Sequence, residues 1–258
     1  MKKTALITGA CINTGVAIVE KFASQGYDIV FTGRNPESVA AAQARYREKF
    51  PAAQIRGFTV HSLKEDGSVD EQGVKTLFHT LDDAGIFIET LVLNAADQGL
   101  GIKIFENEVK DFIRVLNTNV VWNYCLCEHA AQRMKEQGSG NIVFVNSNTA
   151  YRAIPDRIAY VTSKGGQLGL MRALTLDLGK YGIRVNAVLP GMIRTDRWEK
   201  NPEFYAKVPS KYTPIGDVAD GADIADAVYY FAAHARNTTG AELVVDGGNT
   251  VQLYPIIP

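Results

Sequence analysis

Short apolar runs, each closed by Gly, Asn or Pro, alternate along this chain with longer stretches of helical period, and no other feature constrains the fold as much. Neighbouring parallel strands need a crossover of a dozen or more residues between them, and a helix is the usual crossover. The expected strands are Thr4–Ile7, Asp28–Thr32, Gln54–Val60, Thr90–Leu93, Asn141–Asn146, Arg184–Leu189 and Glu242–Val245. Expected helices lie near 14–25, 37–49, 69–83, 107–137, 157–180 and 221–233. Runs such as Ile142-Val143-Phe144-Val145 are apolar at consecutive positions, as a strand must be when helices cover both sheet faces. The pattern predicts an α/β chain with a doubly wound, seven-stranded parallel sheet and helices on both faces.

Nothing in the sequence marks a second domain: there is no repeat, low-complexity linker or charge block, so 1–258 reads as one domain. At 258 residues, 46% of them hydrophobic, that domain can bury a sizeable core. Its formal net charge of −1 argues against nucleic acid or an anionic membrane as partner. Three cysteines, Cys11, Cys125 and Cys127, suggest neither a disulfide scaffold nor a zinc site, and point to a reducing compartment. Four scattered histidines lack metal-ligand spacing, so no metal is expected. Met1-Lys2-Lys3 and Ala5-Leu6-Ile7 imitate the start of a leader, but Thr8-Gly9, Asn13 and Gly15 interrupt it, and the chain reads as cytoplasmic. No apolar run approaches the roughly 20 residues that span a bilayer. One stretch, 190–221, carries four prolines between regular elements and is expected to cover a site.

Two motifs suggest chemistry. Thr8-Gly9-Ala10-Cys11-Ile12-Asn13-Thr14-Gly15 joins the first strand to the first helix, a glycine turn of the kind that brings backbone amides and a helix start against a pyrophosphate in Rossmann-type folds. Asn13 stands where the middle glycine is usual, and Asn tolerates the left-handed conformation. Tyr160 and Lys164 lie four apart on one helix face, where a cation beside a phenol favours the phenolate. Each motif alone has a bland reading, as a structural turn and a surface pair respectively.

Together, the turn at Thr8–Gly15, Asn94-Ala95-Ala96 after the fourth strand, Asn119, Ser147, Tyr160/Lys164, Pro190-Gly191 and Val245-Asp246-Gly247-Gly248 resemble the short-chain dehydrogenase/reductase family over essentially the whole chain. In that family a serine ends the fifth strand 13 residues before the tyrosine, the spacing of Ser147 to Tyr160. The resemblance implies that Ser147 polarises a substrate carbonyl, Tyr160 exchanges its proton, and Lys164 tunes Tyr160 while holding the nicotinamide ribose. It gives Asn119 the support of a water-linked proton path to the lysine, with Asn117 as the alternative. Cofactor contacts are implied for Gly9, Cys11, Asn13, Thr14 and Gly15 in the turn. Further contacts are implied for Ser62 and Leu63 near the adenine, Asn94, Ala95 and Ala96, then Pro190, Gly191, Ile193 and Thr195. Ala96 and Ala150 join Asn13 as replacements of glycines common in the family.

The second strand ends in Thr32-Gly33-Arg34, without the acid that would hold the adenosine ribose hydroxyls of NAD(H). Arg34 suits a 2′-phosphate, so NADP(H) is expected over NAD(H). Asp97, Gln98, Asn148, Arg152, Arg157, Met192, Arg197, Trp198 and Tyr205 border the pocket by position, with Asn148, Arg152 and Trp198 expected on the substrate beside Ser147 and Tyr160. This polar set suggests a sugar, polyol or oxo acid. Rival readings are a 3-oxoacyl thioester reductase and a non-catalytic nucleotide sensor. An apolar tail at 251–258 and the family resemblance imply a homodimer or homotetramer, built through the helices at 107–137 and 157–180.

Overall fold

The computed structural model of the chain describes residues 2–195, 198, 200–206 and 208–255. Seven strands form one sheet: β1 (Thr4–Ile7), β2 (Asp28–Gly33), β3 (Ile55–Thr59), β4 (Thr90–Leu93), β5 (Gly140–Val145), β6 (Ile183–Pro190) and β7 (Glu242–Val245). Their order is β3-β2-β1-β4-β5-β6-β7 and every pairing is parallel. The chain therefore winds outward from β1 in one direction and from β4 in the other. Between them lies the switch point, where ligands bind at the carboxyl ends of the strands in such sheets.

Consecutive apolar strand residues divide between two cores. Ile7, Phe31, Val143 and Val188 face helices α1 (Asn13–Ser24) and α2 (Pro36–Lys49) and the last helix, α7 (Gly221–Ala233). Their neighbours Leu6, Val30, Ile142, Phe144 and Leu189 face α3 (Glu71–Asp83), α5 (Trp122–Gln137) and α6 (Ile158–Leu178). Burying each large side chain on either face contributes about 1.5–3 kcal/mol, which is why strands without alternation are stable here. Three helix starts are capped by their own sequence: Asn35 accepts from Ser38 N at 2.8 Å, Asp70 from Gly73 N at 3.0 Å, and Asp220 forms a reciprocal box with Asp223.

The helix expected over 107–137 is interrupted. It forms α4 (Val109–Leu116), a π turn at Asn117–Val121 and then α5. A π turn inserts one extra residue without breaking the apolar periodicity, so the sequence pattern reads straight through it. Bonds made by Asn119 to neighbouring elements, described below, hold the insertion. The 190–221 stretch is less irregular than a bare loop. It contains short helices at Pro202–Ala206 and Val208–Tyr212, and its neck is joined by a parallel bridge between Ile193 and Ala219. No helix among the described residues is long and apolar enough to cross a membrane.

Candidate active site

The loops after β1, β4, β5 and β6 meet at the switch point. Thr8 laces the first two: its hydroxyl oxygen accepts from Asn94 N and Ala95 N at 3.0 Å, while Asn94 Nδ2 donates to the carbonyls of Thr8 and Gly9. Gly9 is left-handed, with φ +64°, and Asn13 has φ +48°. A Cβ on Gly15 would lie 2.4 Å from the Gly9 carbonyl oxygen, so the turn closes only with glycine there. Helix α1 then starts at Ile12 with no side-chain cap and no acid in its first turn. Uncapped amides and the positive helix end are what a pyrophosphate requires, so the turn fits a dinucleotide.

Beyond the turn, the Cys11 thiol lies against Gly33, where an added Cβ would come within 2.5 Å of Sγ. Arg34 follows, exposed and paired with no carboxylate among the described residues. Ser62 Oγ meets Thr118 Oγ1 of the π turn at 3.3 Å, and Leu63 bridges to Val69. Asn117 points elsewhere, donating to Gly67 O at 3.0 Å. On the far side, Pro190 ends β6, Gly191 N donates to Val245 O, and Ile193 and Thr195 continue at the neck of the 190–221 segment.

Ser147 follows β5 by two residues and caps the 3-10 turn Asn148–Ala150. Its oxygen accepts from Thr149 N at 3.2 Å and Thr149 Oγ1 at 3.0 Å, which leaves its own hydrogen for an outward partner. The Tyr160 phenol lies close enough to feel it. Burial pushes the Tyr160 phenol above its ordinary range, opposed by the hydrogen bond with Ser147 and the positive charge of Arg157. One turn on, Lys164 is 1% exposed, with Nζ 5.5 Å from the centroid of the Tyr160 ring. Desolvation lowers its pKa from 10.5 to about 7. Nζ donates to Val145 O at 3.0 Å and to Gln167 Oε1 at 3.1 Å, both neutral acceptors.

Asn119 is fully buried, and its side chain is wholly engaged: Oδ1 accepts from Asp97 N at 2.7 Å, while Nδ2 donates to Asp97 O at 2.8 Å and Ser163 Oγ at 2.9 Å. It thereby ties the loop after β4 to α6. The Asp97 carboxylate pairs with Arg114. Ser147, Tyr160 and Lys164 converge, with Asn119 behind the lysine's helix. Gln167 and Thr149, which buttress them, are absent from the sequence reading. Gln167 had a signal, since 160, 164 and 167 share one helix face.

The chain matches known proteins along most of its length. A family model described as Enoyl-(Acyl carrier protein) reductase covers residues 9–250. The chain is 32% identical to 3alpha-hydroxysteroid dehydrogenase of Mediterraneibacter gnavus, over 95% of this chain and 96% of that one. It is 31% identical to the NADP-dependent (R)-specific alcohol dehydrogenase of Lentilactobacillus kefiri, over 97% of each. The chain is a short-chain dehydrogenase/reductase. Among solved structures of this family, NAD+-bound xylitol dehydrogenase superposes with a TM-score of 0.82 at 30% identity, covering 95% of this chain and 98% of that one. As a short-chain dehydrogenase/reductase, the protein is an oxidoreductase that interconverts a carbonyl and an alcohol on a small molecule with a nicotinamide dinucleotide.

Two residues expected on the substrate are turned to the C-terminal segment instead. Arg152 Nη1 donates to the carbonyls of Asn249, Thr250 and Gln252. Asn148 Nδ2 donates to Asp246 Oδ2 at 3.3 Å and Asn249 Oδ1 at 3.0 Å. Burial would raise the Asp246 pKa, but donors from Thr250, Gly248 and Asn148 together hold it below the usual carboxylate range. The same segment reaches the 190–221 stretch, where Asn249 Nδ2 donates to Tyr212 O and Gln252 Nε2 to Lys211 O. Trp198 Nε1 donates to Ile193 O at 3.1 Å, with the Arg194 guanidinium over its ring. Tyr205 belongs to the Pro202–Ala206 helix, and Arg197 lies outside the described residues.

Proposed function

We propose that the protein is an NADP(H)-dependent oxidoreductase acting on a small, polar secondary alcohol or its ketone, such as a sugar, polyol or oxo acid. The convergence of Ser147, Tyr160 and a Lys164 that has no counter-ion among the described residues carries the reading. In this reading, 1–258 acts as one catalytic domain with 190–221 covering the substrate. The turn at Gly9–Gly15, with Ser62, Leu63, Asn94, Ala95, Ala96, Pro190, Gly191, Ile193 and Thr195 around it, holds the cofactor. Bound there, the cofactor supplies or accepts a hydride. Ser147 donates its free hydrogen to the substrate oxygen, and Tyr160 gives or takes the proton as charge develops there. Lys164 holds the positive charge that makes the phenolate accessible.

Arg34 supports NADP(H), because it stands unpaired at the end of β2 where no carboxylate competes for the ribose. The relative named as an NADP-dependent alcohol dehydrogenase agrees with that choice, and the likeness to xylitol dehydrogenase favours a polyhydroxylated substrate. The test is the nicotinamide absorbance change with NADPH and NADH against sugars, polyols, oxo acids, a steroid and a 3-oxoacyl thioester, for the wild type and Arg34→Ala. NADPH is preferred by the wild type, and Arg34→Ala loses about tenfold or more of that preference, the worth of one charge-assisted contact. An equal preference in both proteins removes Arg34 from the reading. Best turnover with the thioester or the steroid replaces the polar substrate class.

The assembly proposed is a homodimer or homotetramer through α4, α5 and α6. Phe105, Val109, Ile113, Tyr124 and Leu176 are exposed there, as are Val251 and Leu253 of the tail. Light scattering behind gel filtration gives a mass of two or four chains, and the mass of one chain would dismiss the interface. The three cysteines are free, in keeping with a reducing cytoplasm.

A further inference from the structure

Gln167 lies at the centre of the polar interior beneath Tyr160. It is 1% exposed, and the hydrogen-bonding capacity of its amide is divided among three neighbours. Nε2 donates to the backbone carbonyl of Asn119 at 2.7 Å. Oε1 accepts from Lys164 Nζ at 3.1 Å and from Asn146 Nδ2 at 3.0 Å. Asn146 is fixed in turn, donating to Lys164 O at 3.0 Å and accepting from Ser147 N at 2.7 Å. These partners allow only one orientation of the Gln167 amide. Flipped, its NH2 would face an ammonium and another NH2, while its oxygen would face a carbonyl.

We propose that Gln167 is a positioning residue of the proton-transfer machinery, which anchors the Lys164 ammonium beneath Tyr160 and bridges it to the Asn119 carbonyl. The inference rests on Tyr160 acting as the acid/base. The Gln167 amide also links the lysine to the Asn119 carbonyl, so one side chain sets the spacing between α6 and the π turn. The anchoring also fixes where the positive charge sits. Among the described residues Lys164 has only Val145 O and Gln167 Oε1 as acceptors, and removing one leaves a desolvated ammonium half-solvated by protein, which lowers its share of charge and its pull on the phenolate.

Other charges near the pair are few. Arg157 begins the same helix and acts on Tyr160; Asp97 is paired with Arg114 beside Asn119; Asp246 is held by donors beyond Asn148. No carboxylate pairs with Lys164 among the described residues. Gln167→Leu removes the acceptor at nearly constant size. Gln167→Glu keeps the shape and places a negative charge on the ammonium, cancelling its field at Tyr160.

The test needs no substrate. The tyrosinate band of the full chain with NADP+ bound is followed against pH, and the same titration of Tyr160→Phe is subtracted to isolate Tyr160. In both Gln167 variants the Tyr160 midpoint moves upward by about one pH unit or more, while NADP+ affinity stays near the wild-type value. An unmoved midpoint in both variants would overturn the proposal, leaving Gln167 as packing. Should Gln167→Leu fail to fold, the Gln167→Glu titration decides alone. A wild-type midpoint no lower than that of an ordinary tyrosine would instead bring down the acid/base reading of Tyr160, an outcome distinguishable from the first.

Discussion

Turnover by Tyr160→Phe falls by about 10³-fold or more, while affinity for the nicotinamide cofactor stays within about threefold of wild type. Only the phenolic oxygen is removed, so the ring stays against Lys164 and the helix face keeps its shape. General acid/base exchange contributes about 10²–10⁴ in rate, and Ser147 cannot replace it, because its oxygen is occupied by two donors from Thr149. Steady-state rates on the best substrate of the panel, with cofactor binding followed by fluorescence, check both halves. Undiminished turnover would remove Tyr160 from the chemistry. Loss of cofactor binding would show that the hydroxyl serves the cofactor before it serves the proton.

Lys164→Met is expected to lower turnover by about 10²-fold or more, and it also changes how stability depends on pH. In the folded chain the Lys164 pKa is lowered from 10.5 to about 7 by burial. Between those values the unfolded chain holds a proton that the folded chain has released, so raising the pH favours folding. Below about 7 both states are charged and the dependence vanishes. Wild type should therefore gain stability on Lys164→Met by up to about 1.4 kcal/mol per pH unit between pH 7 and 9.5, measured by urea unfolding without cofactor. A pH-independent difference would mean that the ammonium keeps its proton throughout. The two results describe one device. A lysine that folding prefers to discharge is retained beside a phenol, held by two neutral acceptors and by no carboxylate among the described residues.

The strands were legible because both sheet faces are buried, so short consecutive apolar runs at 142–145 and 187–189, bounded by turn residues, read as strands. Asn13 was legible for a similar reason: the turn demands a positive φ, and Asn is among the few side chains that accept it. Ser147, Tyr160 and Lys164 could be proposed from the sequence because fixed spacings near a strand end and on a helix face survive in one dimension. The π turn could not, since one inserted residue leaves the apolar pattern intact. Arg152 and Asn148 were read as substrate residues because polar groups beside a catalytic serine suggest a ligand. Their partners lie about 100 residues downstream, a distance no local pattern spans.

That separation has a consequence for synthesis. The carbonyls that hold Arg152 belong to residues 249, 250 and 252, and Asn148 waits for Asp246 and Asn249. At a ribosome moving about 5–20 residues per second, some 5–20 s pass between making the serine loop and making its anchors. During that interval the wall beside Ser147 has nothing to close on, and α1 likewise waits for the α7 residues Ile224, Val228 and Phe231 that share its core. The loop after β5 therefore reaches its final arrangement only when residues 246–252 have left the exit tunnel.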